Sequence, residues 1–450
     1  MNIKTTTPSD SRHLAHQLFT MTWPMLFGVL SLMSFQLVDS AFIGQLGMLP
    51  LAAQGFTLPM QMLVIGLQVG LGIATTALIS RVLGNHDYHR ARQLGGVVVI
   101  LGDIGIMALC AAIWFGRHQL LWLLGAPDNV FSVIDSYWPV WLTSAWCGSM
   151  VYFAYSICRA NGNTLLPGIM MVITSVFNIG LDPLFMFTFN MGINGAAWAT
   201  VVSFSIGMLV VYPLLFKRQW LSFDWRDFAV YKAIKELVHI MAPAMLSQLL
   251  PPVSAILATK LVAGFGAATV AAWALGSRLE FFSLVIVLAL TMSMPPMVGR
   301  LLGHKDIASI EKLIMLAVRF VLIWQVTIAI VLFLSAQPLT QLLSSDSSVQ
   351  QILMIHLTRV PISLGALGIC MLMVSVCNAM GLPMRALLIS ALRLFVCYLP
   401  VLWLGAHVAG LSGLFTGAMV GNIAAGLCAW VLYRQGLVNI RNKYQVTSMA

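Results

Sequence analysis

Apolar stretches of twenty or more residues recur along the whole length of this chain, separated by short polar segments. Each is long enough to cross a hydrocarbon core about 30 Å thick. Lipid offers no hydrogen bonds to the backbone, so only helices and closed barrels can span it, and these runs are too long for barrel strands. Composition agrees: 60% of the 450 residues are hydrophobic and 8% charged, and the mean hydropathy is +0.92, far from a soluble domain. The expected fold is an all-α polytopic membrane protein. Its spans are expected at 14–44, 50–82, 94–116, 130–158, 163–189, 192–216, 232–264, 268–302, 311–336, 349–378, 383–407 and 408–434, which makes twelve transmembrane helices.

Positive charge sets the expected orientation, because cytoplasmic loops retain Lys and Arg. Arg81, Arg90, Arg92, Lys217, Arg218, Lys232, Lys235, Arg300, Lys305, Arg385, Arg434 and Arg441 fall in alternate loops or at the C-terminus, whereas the opposite loops hold little beyond Arg117. Both termini are therefore expected on the cytoplasmic side of a bacterial inner membrane. The formal charge of +10 then reflects topology, and no nucleic-acid partner is expected, since no basic run is interleaved with aromatics. The polar start, Met1 to Asp10, lacks the pattern of a removable signal peptide. The seven cysteines read as small core residues. No CxxC, HExxH, GxxxxGK[ST] or GxSxG pattern occurs, so no metal, cofactor, ATPase cassette or serine nucleophile is expected. Transport would draw on an ion gradient.

The chain repeats itself at an offset of 219. Pro24 of 22-TWPML-26 maps onto Pro243 of 241-MAPAM-245, 81-RVLGNHD-87 onto 300-RLLGHKD-306, and 158-CRANG-162 onto 377-CNAMG-381; 192-GINGA-196 meets 410-GLSGL-414 after a one-residue slip. Two pseudo-symmetric six-helix lobes are expected, 1–216 and 232–450, joined by a cytoplasmic loop at 217–231. Parallel repeats of this kind place the substrate path between them, with alternating access.

The lobes differ in charge. Asp39, Asp103 and Asp182 fall at membrane depth in the first, whereas Lys260, Arg278, Glu280, Arg319, Arg359 and Arg393 do so in the second. Only the first resembles a cation site, and the repeat mates of Asp39 and Asp182 are Ala258 and Val401. Asn178 and Asp182 are spaced i, i+4 on one helical face, and Gln36 is one turn below Asp39. Pro183 cannot donate to the Ile179 carbonyl, which leaves an acceptor beside the acid. An aspartate at a helix centre costs roughly 2.5–3.5 kcal/mol on insertion scales, so it faces a partner or a cavity. Asp39, Asp182 and Asn178 are thus candidates for proton or cation binding. The plain alternative is that Asp182 caps backbone freed by Pro183 and that Asp39 bonds to Ser40 or another neighbour. Structural roles are expected for Arg319, Arg359, Arg393 and Lys260, which can snorkel, pair with Glu280 or bind anionic lipid, and Asp103 is either a further site residue or partnered within its lobe.

These stretches, together with 38-VDSAFIGQLG-47, 177-FNIGLDPLFMF-187 and 192-GINGAAWAT-200, resemble the multidrug and toxic compound extrusion (MATE) family over essentially the whole chain. The resemblance implies twelve helices in two lobes and cation-coupled antiport of amphipathic, often cationic, drugs by a monomer in the lipid bilayer. The chain looks like the DinF branch, because 246-LSQLLPPVSAIL-257 and 363-SLGALGICMLMVSVCN-378 lack the acids that NorM-type members carry there. In that branch, protonation of the first-helix Asp accompanies bending at its Pro, which maps onto Asp39 and Pro24. Family contacts in the first lobe map onto Tyr137 and Thr200, which with Gln36 form the expected substrate-binding set.

The expected mechanism has drug and proton competing for Asp39 and Asp182, with Pro24 as hinge, because it removes one helical hydrogen bond; a static kink is the alternative. Sodium is the alternative coupling ion, since oxygen ligands suit either. A lipid-linked saccharide flippase could share the scaffold but calls for an arginine-lined first lobe. A membrane-embedded enzyme would need acids and histidines clustered at one interface, and the nine histidines are dispersed.

Overall fold

The computed structural model describes residues 11–449, and the expectation for Met1 to Asp10 lies outside them. Among the described residues the regular structure is helical throughout: α1 (Ser11–Gln45), α2 (Met48–Gly84), α3 (Tyr88–Phe115), α4 (Arg117–Leu123), α5 (Asp128–Ala160), α6 (Leu165–Pro183), α7 (Ile193–Lys217), α8 (Val230–Ala263), α9 (Ala267–Ser283), α10 (Val285–Gly303), α11 (Ile307–Leu334), α12 (Ala336–Leu343), α13 (Ser347–Arg359), α14 (Leu364–Ala379), α15 (Pro383–Leu392) and α16 (Leu399–Met449). Ten helical stretches are long and apolar enough to cross a membrane. One of them, Pro383–Asn442, contains two spans, because the chain breaks at Ala409 and Gly410, where Gly410 takes φ 57°. The 33-residue α5 covers the expected span at 130–158 and is not among those ten.

The turns explain the repeat motifs. In RVLGNHD and RLLGHKD, Asp87 accepts from the Arg90 amide and Asp306 from the Ser309 amide, each at 3.0 Å, capping α3 and α11. The residues just before them, His86 and Lys305, take φ 61° and 60°, a left-handed conformation that ends the preceding helix. Gly162 and Gly381 lie at φ 81° and 76°, and Gly47 and Gly266 at φ 112° and 103°. All three pairs are 219 residues apart, so the repeat survives in the sequence where a helix must stop and restart. The same offset relates the short helices α4 and α12, which the sequence reading did not anticipate.

Four expected spans are not single regular helices; the one at 383–407 passes through a π-turn, Arg393–Tyr398. The span at 268–302 breaks at Leu284 (φ −84°, ψ 0°); Gln325 of α11 donates to the Ser283 carbonyl at 3.0 Å, satisfying an acceptor that the break releases. The span at 349–378 passes through a 3-10 turn, Val360–Ser363, at Pro361, which cannot donate a helical hydrogen bond. The span at 163–189 continues past Pro183 as a π-turn, Leu184–Thr188.

The chain forms two compact units, Thr20–Gln248 and a second comprising Leu249–Ala450 with the N-terminal residues to Phe19. Their limits fall inside α1 and α8. Within the first, the segment after α7 is strapped to α3: the Ser222 amide donates to the Arg92 carbonyl, the Gln93 amide to the Asp224 carbonyl, and the Trp225 indole to the Gln93 carbonyl. Gly95 and Gly96 permit this, because a methyl group on either would collide with the Trp220 or Ser222 carbonyl.

Candidate functional site

A cavity of about 500 Å³ opens within the first unit, walled by α1, α2, α5, α6 and α7. Asp39, Gln36, Tyr137 and Thr200 all line it. Asn178 and Asp182 stand behind the wall on α6, 2% and 0% exposed. Asn178 donates its side-chain amide to the Thr200 hydroxyl at 3.0 Å, and Thr200 donates to the Ala196 carbonyl at 3.0 Å. Of the pair expected on one face of that span, Asn178 is therefore joined to the cavity through Thr200. Asp39 and Asp182 are close enough to interact electrostatically, as are Asp39 and Tyr137.

Asp39 Oδ1 is buried without a hydrogen-bond partner among the described residues. The Ser40 contact offered as the plain alternative is not among the hydrogen bonds seen. A carboxylate in low dielectric stays ionised only beside a compensating charge. The cavity wall carries Asp39 as its one carboxylate and neither Lys nor Arg, so a compensating cation would come from outside the wall.

Three wall residues were not singled out in the sequence. Gln54, Gln61 and Gln68 of α2 line the cavity and recur every seven residues, close to two helical turns, so they form one polar stripe. That spacing was available in the sequence, but the surrounding apolar residues hide it from any average. Aromatic faces complete the wall, with Phe35, Trp141 and Phe204 beside Tyr137. Trp138 sits one layer deeper, fully buried, donating to Thr57 at 2.9 Å.

Pro24 lies inside the continuous α1. Its carbonyl rests on Gly168 of α6, where any Cβ would collide with it, and one turn on a Cβ at Gly28 would meet the Met171 sulfur at 2.9 Å. The two glycines let α1 and α6 approach closely at the proline. Asp103 accepts from the Trp146 indole at 2.7 Å and does not line this cavity, so of the two expectations for it the partnered one is observed. Among the described residues no group of His, Cys, Asp and Glu could hold a metal ion.

Comparison with known proteins places this geometry. The crystal structure of the Vibrio cholerae MATE transporter VcmN in the bent form matches with a TM-score of 0.94 at 61% identity, covering 96% of this chain and 98% of that one. A FAD transporter of Shewanella oneidensis is 29% identical over 428 residues, 94% of this chain and 95% of its own length. The multidrug export protein MepA of Staphylococcus saprophyticus is 25% identical over 414 residues, 91% of each chain. The MatE family pattern matches residues 24–184 and again 243–404, one copy in each half of the repeat, and the chain belongs to the MatE family of multi-pass membrane proteins.

Proposed function

We propose that the protein is a multidrug efflux antiporter that exports planar, amphipathic cations in exchange for protons, with the coupling site at Asp39 and Asp182. The observation that carries this reading is the partnerless Asp39 oxygen in a cavity whose wall holds no basic residue. The ionised Asp39 attracts a cationic drug, which the aromatic faces of Tyr137, Trp141 and Phe204 hold by stacking and cation–π contact. The glutamine stripe and Gln36 both donate and accept hydrogen bonds, so they suit many head groups. Asp182 behind the wall disfavours a second negative charge, so the two acids share one cation at a time. A proton on Asp39 removes the charge that holds the drug, and drug and proton exchange at one place.

Pro24 provides the conformational link. Bending of α1 there costs little, because the proline already lacks a helical hydrogen bond, and it moves Asp39 relative to α6. Alternating access between the two halves, both termini in the cytoplasm of a bacterial cell, a monomeric state and a place in the DinF branch complete the proposal. The MepA relatives support the drug class.

A second reading comes from the Shewanella oneidensis FAD transporter. Glutamine amides could pair with the edge of a flavin ring, but a pyrophosphate calls for Lys or Arg, which this wall lacks. Proton coupling is tested with ethidium uptake into everted membrane vesicles under an imposed proton gradient. Wild type is expected to accumulate ethidium and Asp39→Asn to lose at least about tenfold of that rate, the differential binding of roughly 1.4 kcal/mol or more that removal of the only wall charge implies. Uptake driven solely by sodium would replace the proton; competition by FAD but not by organic cations would replace the substrate.

A further inference from the structure

We infer that the strap between α7 and α8, at 217–232, is a binding surface for the headgroups of anionic phospholipids. The strap joins the end of one crossing to the start of the next, so it lies at one membrane surface. Its sequence, 217-KRQWLSFDWRDFAVYK-232, carries both aromatic and basic residues, the two kinds that settle at a bilayer interface.

The backbone of the strap is not free to drape. Its hydrogen bonds to Arg92 and Gln93 hold it against α3, and Leu221 is buried beneath it. What faces outward is therefore fixed. Phe216 at the end of α7, Phe223 and Trp225 form a ladder, with ring centres 6.0 Å apart at each step. Phe216 is 51% exposed and Phe223 44%, and Tyr231, at the start of α8, is more exposed still. Water is a poor cover for rings held open in this way, and the interfacial layer of a bilayer is a good one.

Charge chooses among lipids. Lys217, Arg218, Arg226, Lys232 and Lys235 stand on the strap or just after it, against Asp224 and Asp227. Arg226 faces Asp224 at 3.7 Å with both side chains mostly exposed, a contact worth little. The other four cations make no ion pair among the described residues. Arg218 lies over the Trp220 ring, 5.0 Å from its centre, so the guanidinium is positioned while its donors stay available for a phosphate. A zwitterionic headgroup brings its own ammonium and gains little from such a surface; an anionic one gains from every cation. The repeat counterpart of α3 is α11, and it too is tethered to the segment that follows the last crossing of its half, where Arg441 meets Glu311 at 2.6 Å. There the segment is a continuation of the helix α16, so the extended strap with its ring ladder is particular to the first half.

Lipid binding at the strap goes beyond the proposed antiport and does not depend on it. The test uses the full-length protein in vesicles of equal parts phosphatidylcholine and phosphatidylglycerol, with a benzophenone amino acid in place of Phe223 and, separately, of Phe115. Phe115 is exposed at the other end of α3 from the strap and serves as the control. After irradiation the lipid adducts are read by mass spectrometry. At position 223 the phosphatidylglycerol adduct is expected to exceed the phosphatidylcholine adduct by about fivefold or more, the equivalent of roughly 1 kcal/mol from one basic residue near an anionic surface. The two adducts should be equal at position 115, and should approach equality at 223 when Lys217→Gln and Arg218→Gln are combined or when salt screens the charges. Equal adducts at 223 with the cations in place, the same enrichment at 115, or an enrichment that survives both the double variant and high salt would each overturn the surface, as would crosslinking to protein in place of lipid. If the enrichment holds in vesicles that show no proton-driven ethidium uptake, the antiport reading falls and the lipid surface stands.

Discussion

The two halves of the chain agree at their turns and disagree at mid-helix. Asp87 and Asp306 cap equivalent helices with the same bond, and Gly47 and Gly266 reverse the chain with nearly the same φ. Between those turns the halves diverge. The helix α2 runs unbroken for 37 residues, while its repeat counterpart is divided into α9 and α10 at Leu284. Likewise α5 is continuous, while its counterpart is interrupted at Val360–Ser363. Turn geometry is a strict local demand and tolerates few residues. Mid-helix polar positions answer to what they bind, and they have been free to separate.

The sharpest way to break this comparison is to move the acid. Asp39→Asn is expected to abolish most proton-driven uptake, and adding Ala258→Asp at the repeat-equivalent position should not restore it, because the glutamine and aromatic wall belongs to the first unit. Restored uptake would mean that the halves are interchangeable for coupling. A smaller effect is expected at Gly168, whose repeat mate is Leu387. Gly168→Val drives a side chain into the Pro24 carbonyl and should cost about 1–3 kcal/mol of stability, read as a lower midpoint of thermal unfolding in detergent; a neutral result would deny the close approach of α1 to α6.

The remaining tests ask whether the turns are as equivalent as their geometry. Gly47→Ala and Gly266→Ala each place a Cβ at positive φ and should each destabilise by about 1–2 kcal/mol. Unequal losses would show that one turn is supported by contacts the other lacks. Asp87→Ala and Asp306→Ala should each remove one cap, at about 1 kcal/mol. Thermal unfolding of the four single variants side by side makes both comparisons directly.

Much of the fold could be read from residues alone. Long apolar runs define spans because the backbone has no alternative in lipid, and the motifs at Asp87, Gly162 and Gly192 mark the ends because only certain residues fit those turns. Asp39 was conspicuous for a related reason, as a charge in an apolar run. Gln61 was not, since an uncharged amide hardly disturbs a hydrophobic stretch, and only its spacing from Gln54 and Gln68 betrays it. The breaks at Leu284 and Val360 were also hidden. Leu284 is an ordinary helix former, and its break is accommodated by Gln325 from a different helix.

The amino-acid sequence by itself thus determined the membrane class, the course of the spans and the twofold repeat, since hydropathy and turn stereochemistry act within a few residues. Only the tertiary structure decided which buried polar groups meet. Asp39 lies within the field of Asp182, Thr200 takes the Asn178 amide, and Glu280 reaches His356 instead of an arginine. Those pairings depend on helix rotation and on close approach at Gly28, Gly168 and Gly276. Rotation and approach are set by packing between segments distant in the chain, about which local periodicity is silent.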